Sequence, residues 1–300
     1  MEYISGTVSR TAANVFALSA VRLILAGVYR RSLAERLPIA LFHRIIQPGG
    51  MKPEKVRKLH ENLFYAIWHT LSFTLVMGAL LKRPWFRLYR DSWDAGHAYY
   101  EFPHELNAEE ESLYLYELGF WISCLAFLTV ETIRKDAMEM ALHHAATIGL
   151  IAISHMHGFN RFGFLVLAIH DVGDIFLYSA KFFNYLGYSL LTNILFGTFV
   201  VVFFLSRLVI FPSVIWVTWT PILGYIEGIN WRTQSGSIIL PSLLLVLQLL
   251  HVMWFVLIIK MVVNMFKNEK KQVEGDIRSE DEGTSPEVTT IVNETTKKNI

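Results

Sequence analysis

The chain has 300 residues, of which 53% are hydrophobic and 18% are charged. Soluble domains carry about 25% charged residues, so a soluble globule or a disordered chain fits this composition poorly. The single cysteine, Cys124, cannot form an internal disulfide, which argues against a secreted disulfide scaffold. The net charge of +1 supplies no basic field for a nucleic acid, so no nucleic-acid partner is expected. A polytopic membrane protein remains.

Apolar stretches long enough to cross a membrane recur along the chain. A bilayer core about 30 Å thick needs about 20 apolar residues in a helix. Arg22 interrupts the first stretch, which lacks a small-residue cleavage site, so we expect a retained span and not a cleaved signal peptide. Pro212 predicts that the sixth span ends near Phe211 and that the chain then follows the membrane interface. The seven predicted spans cover residues 12–29, 62–81, 113–130, 137–154, 162–180, 190–211 and 238–259.

Loop charges predict the orientation of these spans. The loop after the first span is basic and the loop after the second is acidic, while lysines or arginines follow the third and seventh spans. By the positive-inside rule, the C-terminus is therefore cytoplasmic and the N-terminus lies on the opposite side. The tail ends Lys297-Lys298-Asn299-Ile300, the form of a dilysine retrieval signal, although chance in a lysine-rich tail would also produce it. We expect a multi-pass protein of the endoplasmic reticulum membrane. Residues 1–54 form the N-terminal span with its basic loop, residues 55–266 the domain with the other six spans, and residues 267–300 the polar tail.

Ionisable residues concentrate in two consecutive predicted spans. His143 and His144 lie in the fourth span, and His170, Asp171 and Asp174 lie in the fifth. Each such group costs on the order of 2.5–3.5 kcal/mol on membrane insertion, so five of them indicate function. Because they are spaced three and four apart, we expect the three residues of the fifth span to share one helix face.

The two groups are predicted to lie at one depth. His143 follows Asp136 by seven residues, and Asp174 precedes Lys181 by seven residues. At 1.5 Å per residue, both lie roughly 10 Å below the cytoplasmic ends of their helices. The histidines and carboxylates should therefore meet inside the membrane, nearer the cytoplasm.

Imidazoles beside carboxylates favour acyl transfer from a soluble activated donor to an amine or hydroxyl of a lipid. Imidazole acts as a nucleophile or general base near neutral pH, and a carboxylate orients it or binds a cationic amine. A zinc or iron site is the alternative. Membrane di-iron enzymes use several HxxxH or HxxHH boxes. Here only His155 and His157 could add ligands, and they lie at the end of the fourth span away from His143 and His144, so no metal is expected. A proton-coupled transporter would show repeats or broken helices, which the sequence lacks.

Residues 132–185 closely resemble the signature of ceramide synthases, the longevity-assurance branch of the TLC-domain family. Weaker similarity extends over about residues 55–265. The resemblance implies an all-α polytopic membrane protein, with a six-helix TLC core preceded by one N-terminal span. The matching positions are Arg134, Lys135, Asp136, His143, His144, Thr147, Asn160, Arg161, Gly163, Leu165, His170, Asp171, Asp174, Leu177, Ala180, Lys181 and Tyr185.

The resemblance also implies an activity, namely N-acylation of a sphingoid base by a fatty acyl-CoA to give a ceramide. Acyl-CoA is then a substrate and no cofactor is expected; the partners are acyl-CoA, the sphingoid base and membrane lipids. The sequence leaves open whether the chain also forms a homo- or hetero-dimer. The implied catalytic residues are His143, His144, Asp171 and Asp174. The implied substrate-binding residues are His170, Arg134, Lys135, Asn160, Arg161, Lys181 and Arg207.

Several details stay open at this stage. His143 either attacks the thioester or acts only as a base, with His144 or Asp174 taking protons. His69 and His251 either line the same cavity or are packed, hydrogen-bonded residues, and Arg207 is expected to extend to the membrane interface. The family often has Glu where this chain has Tyr178, so a polar partner is missing there. A non-enzymatic TLC-domain protein that affects lipid composition or translocation is the alternative function.

Overall fold

The computed structural model describes residues 53–92, 98, 106–128, 136–220 and 236–267, and within these ranges it contains helices and no strand. The predicted span 12–29 and tail residues 268–300 lie outside the described residues. A π-helical segment, Phe204–Ile210, joins the sixth helix to the seventh. The helices are α1 (Pro53–Leu81), α2 (Pro84–Ser92), α3 (Ala108–Phe127), α4 (Ala137–His157), α5 (Asn160–Leu186), α6 (Ser189–Phe203), α7 (Phe211–Trp219) and α8 (Gly236–Lys267).

The helices confirm the prediction of an all-α polytopic membrane fold. Among the described residues, five helical stretches are long and apolar enough to cross a membrane. α3 lies where the third span is predicted and packs against α4. It carries four glutamates and is less apolar than the five stretches that follow. The five spans are Lys55–Leu81, Ala137–His157, Asn160–Leu186, Ser189–Trp219 and Ile238–Asn264.

α5 is the central helix of the bundle. It packs along α1 on one side and α6 on another, and it also contacts α4 and the π-helical segment, while α3 and α8 pack on α4. Tyr65 of α1 stacks on Tyr178, and Ser72 bonds to Asp171, so α1 runs antiparallel to α5. We call the end of the bundle that holds Lys181 the Lys181 end, and the end that holds the α4–α5 turn the Phe159 end.

Local signals in the sequence set the ends of three helices. Asn107 accepts a hydrogen bond from the Glu110 backbone N–H at 2.9 Å, and the Glu110 side chain accepts one from the Asn107 N–H at 3.2 Å, which closes a capping box. Gly158 ends α4 with φ 76° and Gly187 ends α5 with φ 87°. Glycine adopts this left-handed conformation without steric cost. The turn at Gly158 makes α4 and α5 antiparallel neighbours.

The prediction that the sixth span ends near Phe211 is wrong. α6 continues through the π-helical segment and α7 as one helical stretch, Ser189–Trp219. Pro212 has no backbone N–H and would leave a carbonyl of the preceding turn without its α-helical partner. Local π-helical adjustment accommodates such freed groups in membrane helices. The proline therefore changes the helical register without ending the span.

An ion pair joins the end of α1 to the start of α3 at the Phe159 end. Arg83 Nε donates a hydrogen bond to Glu110 Oε1 at 2.7 Å, and a second guanidinium nitrogen pairs with Oε2. The carboxylate raises the pKa of the Arg83 guanidinium above its ordinary value. Since Glu110 also closes the capping box, one residue fixes both the start of α3 and its position beside α1.

Candidate active site

The paired histidines of α4 lie buried against aromatic rings. His143 is 6% exposed and His144 is 5% exposed. The Trp121 ring of α3 lies 5.6 Å from the His143 ring and 5.5 Å from the His144 ring, measured between centroids. The Trp254 ring of α8 lies 5.4 Å from the His143 ring. The two imidazoles therefore have different surroundings, as expected for adjacent residues about 100° apart on a helix.

His170 of α5 is hydrogen-bonded to His251 of α8. Their Nε2 atoms are 3.0 Å apart, and His170 Nδ1 lies 2.7 Å from the Val166 carbonyl oxygen. Because a carbonyl only accepts, we assign the proton of neutral His170 to Nδ1, which makes its Nε2 an acceptor and the Nε2–H of His251 the donor. The chain of donors thus runs from His251 through His170 to the backbone.

Asp171 of α5 is held by two side chains of α1. Its Oδ1 lies 2.8 Å from His69 Nδ1, and its Oδ2 accepts a hydrogen bond from the Ser72 hydroxyl at 2.5 Å. Asp171 is 1% exposed and His69 is 2% exposed. The partner of Asp171 is therefore an imidazole 102 residues away in the chain, not one of the paired histidines. His69 is hydrogen-bonded as expected, and it also lines the same cavity as the paired histidines.

Asp174 of α5 forms a buried ion pair with Arg207. An Arg207 guanidinium nitrogen donates to Asp174 Oδ1 at 2.8 Å and to the backbone carbonyl of His170 at 3.0 Å. The prediction that Arg207 extends to the membrane interface is wrong, because this residue is 3% exposed. The π-helical segment turns its side chain toward α5, where a buried carboxylate compensates its charge.

The three polar residues of α5 have partners on three different elements. His170 contacts α8, Asp171 contacts α1 and Asp174 contacts the π-helical segment. The three residues lie within one helical turn of each other, but each side chain is drawn to a partner on a different helix. Spacing along one helix predicts proximity and does not predict these partners.

Two cavities meet at His143. The polar cavity, of about 80 Å³, opens among the helices toward the Lys181 end. The apolar cavity, of about 40 Å³, runs toward the Phe159 end as far as Ser154 and Phe162. His143 and Trp121 line both, whereas His144 lines only the polar cavity. The charged and imidazole groups of the polar cavity are His69, His143, His144, Asp174, Lys181 and Arg207.

The other predicted substrate-binding residues lie in different places. Lys181 lines the polar cavity, with its Nζ 5.7 Å from the centre of the Tyr178 ring. Asn160 and Arg161 begin α5 at the Phe159 end, roughly 15 Å along the helix from His170. Arg161 lies over the Trp85 ring there, at 5.2 Å. The structure therefore does not bring this pair to the histidines, and Arg134 and Lys135 lie outside the described residues.

Sequence reasoning missed several residues that form the site. Trp121, Trp254 and Tyr178 supply the walls around the imidazoles; the Tyr178 ring stacks on His69 at 5.5 Å. Glu117, which is 1% exposed, lines a further cavity between α1 and α3 and lies within hydrogen-bonding range of Trp121. A glutamate within the apolar run of α3 was the signal that could have indicated it. Among the described residues, no group of three or more His, Cys, Asp or Glu side chains is arranged to hold a metal ion.

The bundle that carries these residues matches a known family. The sequence model of the family described as the TLC domain matches residues 58–260. The chain belongs to the TLC-domain family. This TLC-domain chain is also similar to curated proteins named ceramide synthase, which confirms the resemblance that its histidine and aspartate motifs indicate.

Three relatives illustrate the extent of the similarity. Ceramide synthase 4 of Bos taurus is 39% identical over 231 residues, which cover 76% of this chain and 56% of the relative. Alternaria stem canker resistance protein 1 of Solanum lycopersicum is 30% identical over 267 residues, which cover 87% of this chain and 86% of the relative. Ceramide synthase LOH2 of Arabidopsis thaliana is 31% identical over 235 residues, covering 76% of each. The chain thus spans little more than half of the bovine relative and most of the two plant relatives.

Proposed function

We propose that this protein is an acyl-CoA-dependent N-acyltransferase of the endoplasmic reticulum membrane. It transfers a fatty acyl group to the amine of a sphingoid base and produces ceramide or dihydroceramide. The observation that carries this proposal is the position of His143, which lines both a polar cavity with basic residues and an apolar cavity. An acyl thioester has the same two halves, a polar carrier and an apolar chain, and its reactive carbonyl joins them.

The two cavities accommodate the two halves of the acyl donor. In this proposal the carrier approaches from the Lys181 end, and its phosphates meet Lys181, which lines the polar cavity. The acyl chain enters the apolar cavity between α4, α5 and α8, along Leu244 and Leu247. This arrangement places the thioester carbonyl beside the His143 imidazole.

His143 is suited to attack that carbonyl. Its Nδ1 is buried and has no hydrogen-bond partner among the described residues. The neutral imidazole forms a C–N bond to the acyl carbon and the C–S bond breaks. The resulting acyl-imidazolium loses its N–H proton, and the CoA thiolate takes up this proton and leaves as the thiol. The sphingoid amine then attacks the acyl-imidazole, the amide C–N bond forms, and His143 is released as a neutral imidazole. Direct attack of the amine on the thioester, with His143 as base, is the competing mechanism.

The incoming ammonium must lose a proton before it attacks. Asp174 is already ion-paired with Arg207, and Asp171 is bonded to His69 and Ser72. His144 lines the polar cavity beside His143, with 5.8 Å between the ring centroids. We therefore assign His144 as the residue that accepts the proton of the ammonium group. The two aspartates position the walls of the cavity.

Turnover tests the function directly. The full chain in lipid nanodiscs is given sphinganine and a panel of acyl-CoAs, and CoA release is followed with a thiol reagent while the amide product is quantified by mass spectrometry. We expect release of CoA and formation of amide in equal amounts, and neither when sphinganine is replaced by octadecanol. Absence of amide with every chain length would refute the proposal.

The covalent intermediate has its own test. Acyl-CoA is added without an amine, the reaction is quenched after a few seconds, and peptides of α4 are analysed by mass spectrometry. We expect an acyl adduct on His143 that disappears when sphinganine is added before the quench. Normal turnover without any adduct would favour direct transfer.

The proposed orientation is tested separately. Cysteine introduced in the tail, for example at Ser285, should react with an impermeant maleimide in sealed microsomes whose cytoplasmic face is outward. Replacing Lys297 and Lys298 by serine should release part of the protein from the endoplasmic reticulum. Protection of the tail from the reagent would reverse the assigned direction of acyl-CoA entry.

A further inference from the structure

A third cavity lies between α1 and α3, away from the paired histidines. It encloses about 630 Å³ and extends from Arg83 and Glu110 at the Phe159 end to Glu117 near the middle of α3. Trp68 lines this cavity and stacks face to face on Phe120, with 4.3 Å between ring centroids. Phe120 lines the polar cavity on the other side. One aromatic layer therefore separates this lateral cavity from the polar cavity.

Two buried polar atoms of the lateral cavity have no hydrogen-bond partner among the described residues. Glu117 Oε2 is an acceptor and Trp68 Nε1 carries a donor hydrogen, and both residues line the cavity. Buried polar groups are hydrogen-bonded in the great majority of cases, and a buried group without a partner destabilises the fold. A ligand that offers one cationic donor and one neighbouring acceptor would satisfy both atoms.

The charge balance around Glu117 also favours a cation. Glu117 lies within electrostatic range of Asp171 and His69. Asp171 is paired with His69, and Asp174 is paired with Arg207, so each of these carboxylates has its own partner. The Ser72 hydroxyl and the Trp121 indole lie within hydrogen-bonding range of the Glu117 carboxyl group, and because both are neutral, Glu117 has no ion-pair partner among the described residues. Burial of a carboxylate is costly unless an opposite charge compensates it.

Part of the wall of the lateral cavity is exposed on the outer surface of the described helices. Leu71, Leu75 and Tyr116 line it and are 51%, 48% and 50% exposed in the described part of the bundle. A long hydrocarbon chain could therefore remain in the bilayer beside these residues while a polar head reaches inward. The site would then admit a lipid sideways, without passage through water.

We propose that the lateral cavity binds a single-chain lipid amino alcohol, with the ammonium on Glu117 and a hydroxyl on the Trp68 N–H. This inference rests on the proposed function and deepens it, because a sphingoid base has this chemistry. The cavity is a holding site for the amine substrate on the far side of the Trp68–Phe120 layer from His143. It is separate from the cavities that receive the acyl donor.

Gly78 offers a clean way to block this site. It lines the lateral cavity, and a Cβ added there would meet no atom within 4 Å. Gly197 of α6 also has open space around an added Cβ and does not line the lateral cavity. Gly78→Phe should therefore fill the cavity at little structural cost, and Gly197→Phe is the matched control on another helix.

Binding is measured with a sphinganine analogue that carries a diazirine in its chain and an alkyne for detection. The purified full chain in nanodiscs is photolabelled, and the labelled peptides are identified. We expect labelling of α1 and α3 that sphinganine suppresses and octadecanol does not. Gly78→Phe and Glu117→Gln should each reduce labelling at least tenfold, and Gly197→Phe should leave it unchanged. Unchanged labelling in Gly78→Phe, or in a folded Glu117→Gln, overturns the site.

Kinetics separate this inference from the proposed function. Gly78→Phe should raise the KM for sphinganine about tenfold and leave the KM for acyl-CoA unchanged. If the wild-type chain labels at α1 and α3 but forms no amide, the amine site stands and the proposed function fails. If amide forms and the label lies on other helices, the function stands and this site fails.

Discussion

The polar and apolar cavities are built largely from the same helices and differ in what those helices carry. Toward the Lys181 end, α5 and the π-helical segment contribute Asp174, Lys181 and Arg207. Toward the Phe159 end, α5 contributes Phe162, Val166 and Leu167. The boundary falls at His143, roughly one third of the way along α4.

This difference indicates how one bundle handles an amphipathic substrate. The charged groups of the polar cavity are compensated inside the protein, because Asp174 pairs with Arg207. The residues that line the apolar cavity include no Asp, Glu, Lys or Arg, so this cavity suits a hydrocarbon chain. If this division is correct, substitutions in the two cavities should have different effects, and substitution at their junction should have the largest.

His143→Asn is expected to have the largest effect on turnover. Loss of the imidazole removes either the nucleophile or the base, so the rate should fall about 10⁴-fold, or about 5.4 kcal/mol of barrier. The rate of CoA release measures this loss. His157→Asn, at the opposite end of the same helix, is the control and should retain activity. A His143→Asn variant with normal turnover would remove this residue from the mechanism.

Arg207→Met should lower stability. It leaves Asp174 as an uncompensated buried carboxylate, and breaking such a pair from one side costs about 3–5 kcal/mol. SDS titration in mixed micelles measures the unfolding free energy. The double variant Arg207→Met/Asp174→Asn removes both charges and should recover most of the loss. Equal stability of the single and double variants would contradict the assigned ion pair.

Gly163→Ala should reduce stability without altering the polar cavity. A Cβ at this position would lie 1.7 Å from the Tyr114 hydroxyl oxygen, and Tyr114 is fully buried. Relief of this overlap requires a shift of the ring or helix and costs about 1–3 kcal/mol. Thermal unfolding detects the change, and Gly197→Ala on open surface is the control. An unchanged melting temperature would argue against the close contact of α3 and α5.

Leu244→Phe is expected to give the smallest effect, a change in acyl-chain preference. Leu244 lines the apolar cavity and is 2% exposed, while Leu245 beside it is 43% exposed. The larger ring should disfavour the longest acyl-CoAs about tenfold, or about 1.4 kcal/mol, relative to shorter ones. Leu245→Phe should leave the preference unchanged. A competition assay with mixed acyl-CoAs distinguishes the two variants.

Much of the fold was predictable because the length and hydropathy of an apolar stretch indicate a membrane helix. The helical character of the described spans and the burial of His143 and His144 were expected from the sequence. The wrong boundary at Phe211 came from treating Pro212 as a helix terminator, although α6 and α7 form one continuous stretch. Proline signals a local change of hydrogen bonding more reliably than it signals the end of a membrane helix.

The partners of the polar residues were less predictable. Asp171 bonds to His69 across 102 residues of sequence, and Arg207 reaches Asp174 only because the π-helical segment turns it inward. Such pairs depend on how each helix is rotated about its axis. Hydrophobic periodicity predicts this rotation poorly when most faces of a helix are apolar. Single buried charges in apolar runs, such as Glu117, were the informative signal that sequence reasoning left unused.

The π-helical segment makes the position of Arg207 sensitive to the length of the chain. A π-helical turn contains one more residue than the α-helical turn it replaces. Deleting one residue between Phe204 and Ile210 could restore regular α-helical geometry and rotate everything before the deletion by about 100° relative to α7. An insertion or deletion within these seven positions would therefore turn Arg207 away from the cavity and toward the outer surface of the bundle. The helix would remain continuous.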